Sequence, residues 1–524
     1  MSHFNFHDFL QSGNVKGFFT YEQFWHYWTI LREKYPQYIT EKFLVGKTYF
    51  GDDMHGFYMG EEMMHDKPNF NNKNIVFITA LHHSREPLTV TMILYIMLEI
   101  LRERGVCHGV PEETTNKWKQ FFETNVIYFI PMVNIDSYKF IGKNWKGEHS
   151  KEVLMIRKNR NVSPSCSIYR GGVDLNRNYS FMFGTNEEGS SSDPCEEDYR
   201  GTAPFSEPET KSIKDYVDSH DNIVTAINMH TYGNAWVYPF NFVHDSKNEL
   251  LKKQKPKFYK FYEEFVHEMK NQHEDATFGN AQATVNYPTN GEAGDWITEI
   301  YNVIDMDVEL GTKDKRSERF YPPISLLPGI CQYNFNVFRQ FFWKHNLLIK
   351  LNKVTRNPDL KTYTFILFNK SISSLKHFKA HIKPQFKKHS RKLLKKVPLE
   401  EQPWHVIHFE KLSKKNKKNS RKLEDSSNHH WTLKINASPS NKKVKSELKD
   451  TKNGEFEASL TGRHYLILEI TFANKIDMDN FTGINLDIKF GYDQSHSKEY
   501  YFDSYAGQTV TADQRLLYLS LIHI

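Results

Sequence analysis

A histidine and a glutamate three residues apart, in His83-Ser84-Arg85-Glu86-Pro87, form the segment of this chain best equipped for chemistry. A neutral imidazole and a carboxylate at that spacing can share one metal ion. The nitrogen and oxygen donors suit zinc, which needs at least one further ligand. Alone the pattern is weak, because with 25 histidines it arises by chance about once or twice. His149/Glu152 and His496/Glu499 repeat it in polar stretches with no strand before them. The His83 pair differs in its setting. Ile75 to Ala80 is a β-branched apolar run that reads as a buried strand, and Leu88 to Leu101 reads as a helix with proline in its first turn. The pair therefore sits at the carboxyl end of a strand, where open α/β sheets gather ligands.

A second apolar run, Ile223 to Met229, ends in His230-Thr231-Tyr232-Gly233 and offers a third ligand from another strand tip. A lone histidine after a strand is more often structural, but here it completes a two-plus-one set. Val303 to Leu310 places acids in an otherwise apolar strand, and alternation sends Asp305, Asp307 and Glu309 to one face. Buried carboxylates are costly unless they are paired, hold metal or do chemistry, so that face is read as looking into a site.

These segments, with others in the same order, resemble the zinc carboxypeptidases of the carboxypeptidase A type (peptidase family M14) from about Phe19 to Asn346. The matching pieces are His83 to Glu86, Pro131 to Asp136, Arg157 to Arg160, Gly172 to Asn178, and His230-Thr231-Tyr232. They continue with Tyr287 eight residues before Asp295-Trp296, and end at Glu309-Leu310. The resemblance implies that His83, Glu86 and His230 hold one Zn2+ per chain, the His₂Glu catalytic site for which carboxypeptidase A is the type example. It further implies that Glu309 is the general base and then general acid, and that Arg157 stabilises the oxyanion. Asn176 and Arg177 would receive the terminal carboxylate, with Tyr287 closing over it and Arg85 among the substrate-binding residues. The implied fold is α/β, a mixed central sheet with helices on both faces, followed by a mostly β C-terminal region.

Two departures bear on substrate choice. Gly311 follows Glu309-Leu310 where digestive members carry arginine, a form that leans toward the processing-type branch. Gly294 stands where the family selects aromatic or basic termini, and glycine selects neither. Asp307 falls at the expected pocket floor with Glu292 nearby, which favours a C-terminal lysine or arginine; alternatively these acids pair with local lysines or face solvent. Ile135 and Ser137 replace a usual proline and glycine without altering the chemistry.

At 524 residues the chain reads as two domains. The catalytic one is expected over 15–350, opening with an amphipathic helix from Tyr21 to Tyr35. A β-rich accessory domain is expected over 355–518, with strands at Trp404 to Phe409, Trp431 to Ile435, Tyr465 to Phe472 and Ile484 to Phe490. Leu519 to Ile524 reads like a translated library adapter, so Ile522 to Ile524 are not expected to belong to the fold. The net charge of +6 sits largely in lysine runs between Lys387 and Lys418, read as solvated loops rather than a polyanion site. No nucleic-acid motif accompanies them.

Of the four cysteines, Cys166 and Cys195 lie where the family has a disulfide, and Cys107 and Cys331 are expected free and buried. Asn161, Asn178 and Asn480 begin glycosylation triplets. No secretory signal or membrane span is read, although the resemblance favours a secreted or endolysosomal setting. The stretch before Phe19 is too short for a long inhibitory pro-segment, so either the protein is no zymogen of that kind or its start is missing. Expected partners are peptides or proteins with a free C-terminus, met by a monomer. The competing readings are a catalytically idle peptide-binding protein and a hydrolase with a specialised substrate.

Overall fold

Short apolar runs become strands here because both faces of one sheet are covered. In the computed structural model, residues 13–63, 73–106, 109–311 and 320–344 are described, with the backbone of the strands between 349 and 511. The chain divides into two units, Met1–Trp343 and Lys344–Ile524. The first is built on an eight-stranded mixed sheet of order β1-β2-β4-β3-β5-β8-β6-β7. These strands are β1 Phe43–Lys47, β2 Asp53–Met59, β3 Asn74–Ala80, β4 Asn125–Ile130, β5 Ile223–Thr231, β6 Ala235–Val237, β7 Thr277–Gly279 and β8 Ile304–Leu310.

The four central strands, β4, β3, β5 and β8, run parallel, and antiparallel pairs flank them. β3 and β4 are buried at every residue, as parallel strands covered on both faces must be. The helix Leu88–Leu101 is buried along nearly its whole length, which accounts for its almost unbroken apolar sequence. Pro87 is its N-cap rather than part of its first turn. The first helix, Tyr21–Lys34, starts with a Thr20/Gln23 capping box and buries Phe24, Trp25, Trp28 and Leu31.

In the second unit, backbone pairing gives a six-stranded and a five-stranded sheet. Their strands include Trp431–Ala437, Tyr465–Phe472 and Phe481–Phe490. Residues 404–408, the lysine runs, Cys107 and Asn480 lie outside the described residues. Cys166 and Cys195 form a disulfide, and Cys331 is free and buried. Asn178 is unsuited to a glycan, because its buried amide donates to Arg200 O at 2.8 Å and Ala203 O at 3.1 Å. No described helix is long and apolar enough to cross a membrane.

Candidate active site

The register of the central strands gathers residues that are far apart in the chain. β5 and β8 pair His230 with Glu309, Asn228 with Asp307 and Ala226 with Asp305. β3 ends one strand away, and the turn after it carries His83 and Glu86. Leu81, at the head of that turn, has φ of +59°, a left-handed conformation that costs a leucine ~1–2 kcal/mol. Neighbouring backbone holds it there: Val133 N donates to Ala80 O at 3.1 Å and Asn134 N to Leu81 O at 3.0 Å. The Asn134 side chain donates to both His82 O and Arg157 O, each at 3.1 Å. The metal turn and the arginine segment are thereby stitched together.

His83, Glu86 and His230 are all buried, and their donor atoms lie within 4.8 Å of one another, the one such cluster among the described residues. Nδ1 of His83 is 2.9 Å from Glu86 Oε1, and Nδ1 of His230 is 3.1 Å both from His83 Nδ1 and from Glu86 Oε2. On its far side His83 Nε2 meets Asp174 Oδ1 at 3.1 Å, while Arg157 Nη1 approaches Nδ1 at 3.2 Å. An ionised carboxylate only accepts and a guanidinium only donates, so the network assigns the ring proton to Nε2. The Nδ1 lone pair then faces the Glu86 carboxylate with no proton between them in the neutral ring. A cation between them satisfies both, and two nitrogens with one carboxylate are a donor set that zinc accepts.

The electrostatics follow from burial and neighbours. Burial pushes the Glu86 carboxyl up, but His83 and His230 outweigh it and hold it below the usual carboxylate range. Asp174 shows the same contest, decided by Arg157 and His83 in favour of the charged form. Glu309 goes the other way: burial first, then the Glu86 charge, push it up to about 8. Burial lowers His230.

Arg157 is fixed by Asp174 Oδ2, which accepts from Nε at 3.0 Å and Nη2 at 2.8 Å. Asn176 Nδ2 is 3.2 Å from His230 Nε2, and its Oδ1 accepts from Ala293 N at 3.1 Å and Asn228 Nδ2 at 3.4 Å. Arg177 is buried, with one Nη1 bond of 2.8 Å to Asn176 O and no partner at Nε. Tyr287 is half exposed. Arg85 stands at the periphery, 2.8 Å from Glu197 and 4.5 Å over the Phe320 ring. Gly311 has φ of +131°, a backbone that favours glycine over the arginine of digestive members.

Asp307 and Gly294 belong to a separate acidic group behind Asn176. Neither alternative for these acids holds among the described residues. Asp305 and Asp307 are buried rather than solvated, and no lysine or arginine pairs with them or with Glu292. Sequence reading missed Asp174 as the residue joining His83 to Arg157, because its partners lie 91 and 17 residues away. Its place in the Asp-x-Asn-Arg segment was the available signal.

The strand tips of a mixed α/β sheet bring two histidines, a carboxylate and an arginine to one point, a group that could hold a metal ion. The zinc carboxypeptidase family model matches residues 25–337, and the chain belongs to that family. It is 25% identical to carboxypeptidase O of Bos taurus over 307 residues, covering 58% of this chain and 72% of that protein. It is 26% identical to carboxypeptidase B2 of Bos taurus over 309 residues, covering 58% and 64%. With carboxypeptidase B of Bos taurus it shares 28% over 290 residues, covering 55% and 61%. The chain thus spans less than two thirds of the length of the last two. The crystal structure of thrombin activatable fibrinolysis inhibitor matches with a TM-score of 0.50 at 23% identity, covering 64% of this chain and 76% of that one. Bovine thrombin-activatable fibrinolysis inhibitor in complex with tick carboxypeptidase inhibitor also gives 0.50 at 23%, covering 63% and 98%. The likeness in fold agrees with the mixed α/β sheet read from the sequence.

Proposed function

We propose that this chain is a metallocarboxypeptidase that removes single residues from free peptide C-termini, with one Zn2+ held by His83, Glu86 and His230. The observation that carries the reading is the convergence of three donor groups beside Glu309, which β-register pairs with His230. When bound, zinc supplies a Lewis acid that polarises a carbonyl and acidifies water. The chain's own groups do the rest. Glu309 takes the proton of the attacking water and hands it to the leaving amine. Positive charge beside Glu86 offsets one of the two causes that raise Glu309, which favours the ionised base near neutral pH.

Arg157, clamped through Nε and Nη2, keeps Nη1 turned toward the cluster, where the oxyanion develops. Arg177 and Asn176 receive the terminal carboxylate, for which a guanidinium fork is the natural partner. Tyr287 closes over it, and Arg85 flanks the peptide. Retention of all these groups argues against an idle binding protein.

The test is mass spectrometry of a mixed peptide pool with free and amidated C-termini side by side. Single-residue shortening of only the free ends, abolished by a zinc chelator, is expected. Internal cleavage, or equal loss from amidated ends, would overturn the reading.

A further inference from the structure

Two polar side chains behind the site have no part in the chemistry above, and each faces the other. His82 Nε2 lies 2.8 Å from the Tyr179 hydroxyl, and both residues are fully buried. His82 Nδ1 has no hydrogen-bond partner, so Tyr179 is the ring's one partner among the described residues. Burying an imidazole and a phenol is costly unless they are bonded. A leucine and a phenylalanine would fill similar space without that cost, so the pair calls for a reason beyond packing.

The pair sits where two segments of the site meet. His82 belongs to the turn bearing His83 and Glu86. Its carbonyl accepts from Asn134 Nδ2 at 3.1 Å, and its ring centroid lies 5.9 Å from that of His230. Tyr179 ends the segment bearing Asn176 and Arg177. Its ring packs 5.0 Å from Trp296 and 5.7 Å from Phe205, and its amide donates to Gly291 O at 2.8 Å. Among the described residues the Arg177 side chain bonds only to Asn176 O, in its own segment, so its place depends on where that backbone is held. Two other bonds join the segment to the metal-binding groups, Asp174 to His83 and Asn176 to His230. Both use the ring of a proposed ligand; the His82–Tyr179 bond does not.

We propose that His82 and Tyr179 are a positioning pair: their bond holds the Asn176–Arg177 segment in place against the metal-binding turn, so that a terminal carboxylate is received with its last peptide bond beside the proposed ligands. The pair touches neither substrate nor metal. This rests on the exopeptidase reading above. A misplacement of about 1 Å in such a site costs on the order of 10²-fold in rate, which gives one buried bond between two segments its leverage.

The test uses the zinc-loaded full chain carrying Glu309→Gln, so that peptide is bound and not consumed. One N-acylated peptide is offered with a free and with an amidated C-terminus. Calorimetry gives the two Kd values, and chelator competition the zinc affinity. With the pair intact, the free acid is expected to bind more tightly by on the order of 10²-fold. That ratio should fall about tenfold in Tyr179→Phe and in His82→Leu, with zinc affinity unchanged. His82→Gln, whose amide nitrogen can replace Nε2, should keep the ratio. Tyr179→Phe and His82→Leu together should lose no more than either alone. A merely structural bond would lower the melting temperature and leave the ratio where it was. A full ratio in both single variants overturns the proposal and leaves the exopeptidase reading standing. So does a loss that tracks loss of zinc, because the pair then serves the metal site. Equal binding of acid and amide with the pair intact sinks both. Should Tyr179→Phe fail to fold, His82→Leu and His82→Gln decide, and equal ratios in those two overturn the proposal.

Discussion

Asp174 serves two groups at once, with Oδ1 toward His83 Nε2 and Oδ2 toward Arg157. Outer partners of metal-binding histidines set ring orientation and basicity, and their loss typically weakens metal binding by ~10–100-fold. Asp174→Asn is therefore expected to lower zinc affinity by that order, read by competition with a chromophoric chelator. Glu309→Gln separates chemistry from metal: kcat should fall by roughly 10²–10⁴, while zinc content by elemental analysis stays at one per chain. A third prediction concerns pH. Burial pushes Glu209 up to about 7 from an ordinary 4.5, so the folded protein keeps a proton that the unfolded chain has released. The stability linked to this group is full below about 4.5 and is lost as pH rises through about 7. Denaturant melts at pH 5.5, 7 and 8.5 should show Glu209→Gln with a shallower alkaline decline than the unaltered protein. An identical decline would remove Glu209 as its source.

At the scale of elements, loops are held by contacts that sequence patterns do not display. Gly172 opens the segment bearing Asp174, Asn176 and Arg177 with φ of +106°, and a Cβ there would lie 2.1 Å from Asn159 O. Gly172→Ala should cost more than ~1 kcal/mol, seen as a lower melting temperature, and should weaken zinc binding by displacing Asp174. Strand tips were the legible part of the fold. Ile75 to Ala80 and Ile223 to Met229 are apolar because the sheet buries both their faces, so a histidine just beyond each run stands out. The three-residue strands β6 and β7 carry too little pattern to be read that way. The Asp174 clamp, the clustering of Asp305 and Asp307 with Glu292, and the Asn134 side chain spanning two loops are products of tertiary proximity, invisible to periodicity. The acids of β8 were legible as an anomaly in an apolar strand, but their packing against Gly294 was not.

At the scale of the molecule, the Cys166–Cys195 bridge closes a loop of sequence separation 29 that encloses the Asp174 segment. Chain entropy puts its contribution at ~3–4 kcal/mol. Mild reduction should lower the melting temperature accordingly, checked by calorimetry with the thiols blocked. The eight-stranded sheet also has an order in time. The three candidate metal ligands are complete once His230 on β5 has been made, whereas Glu309 comes from β8, which inserts between β5 and β6 after both have been synthesised. A ribosome-bound chain therefore owns every proposed zinc ligand while it still lacks the proposed base. On the proposed reading, hydrolytic power arrives with the last strand of the sheet, and a product truncated before residue 309 is expected to bind zinc without hydrolysing peptides.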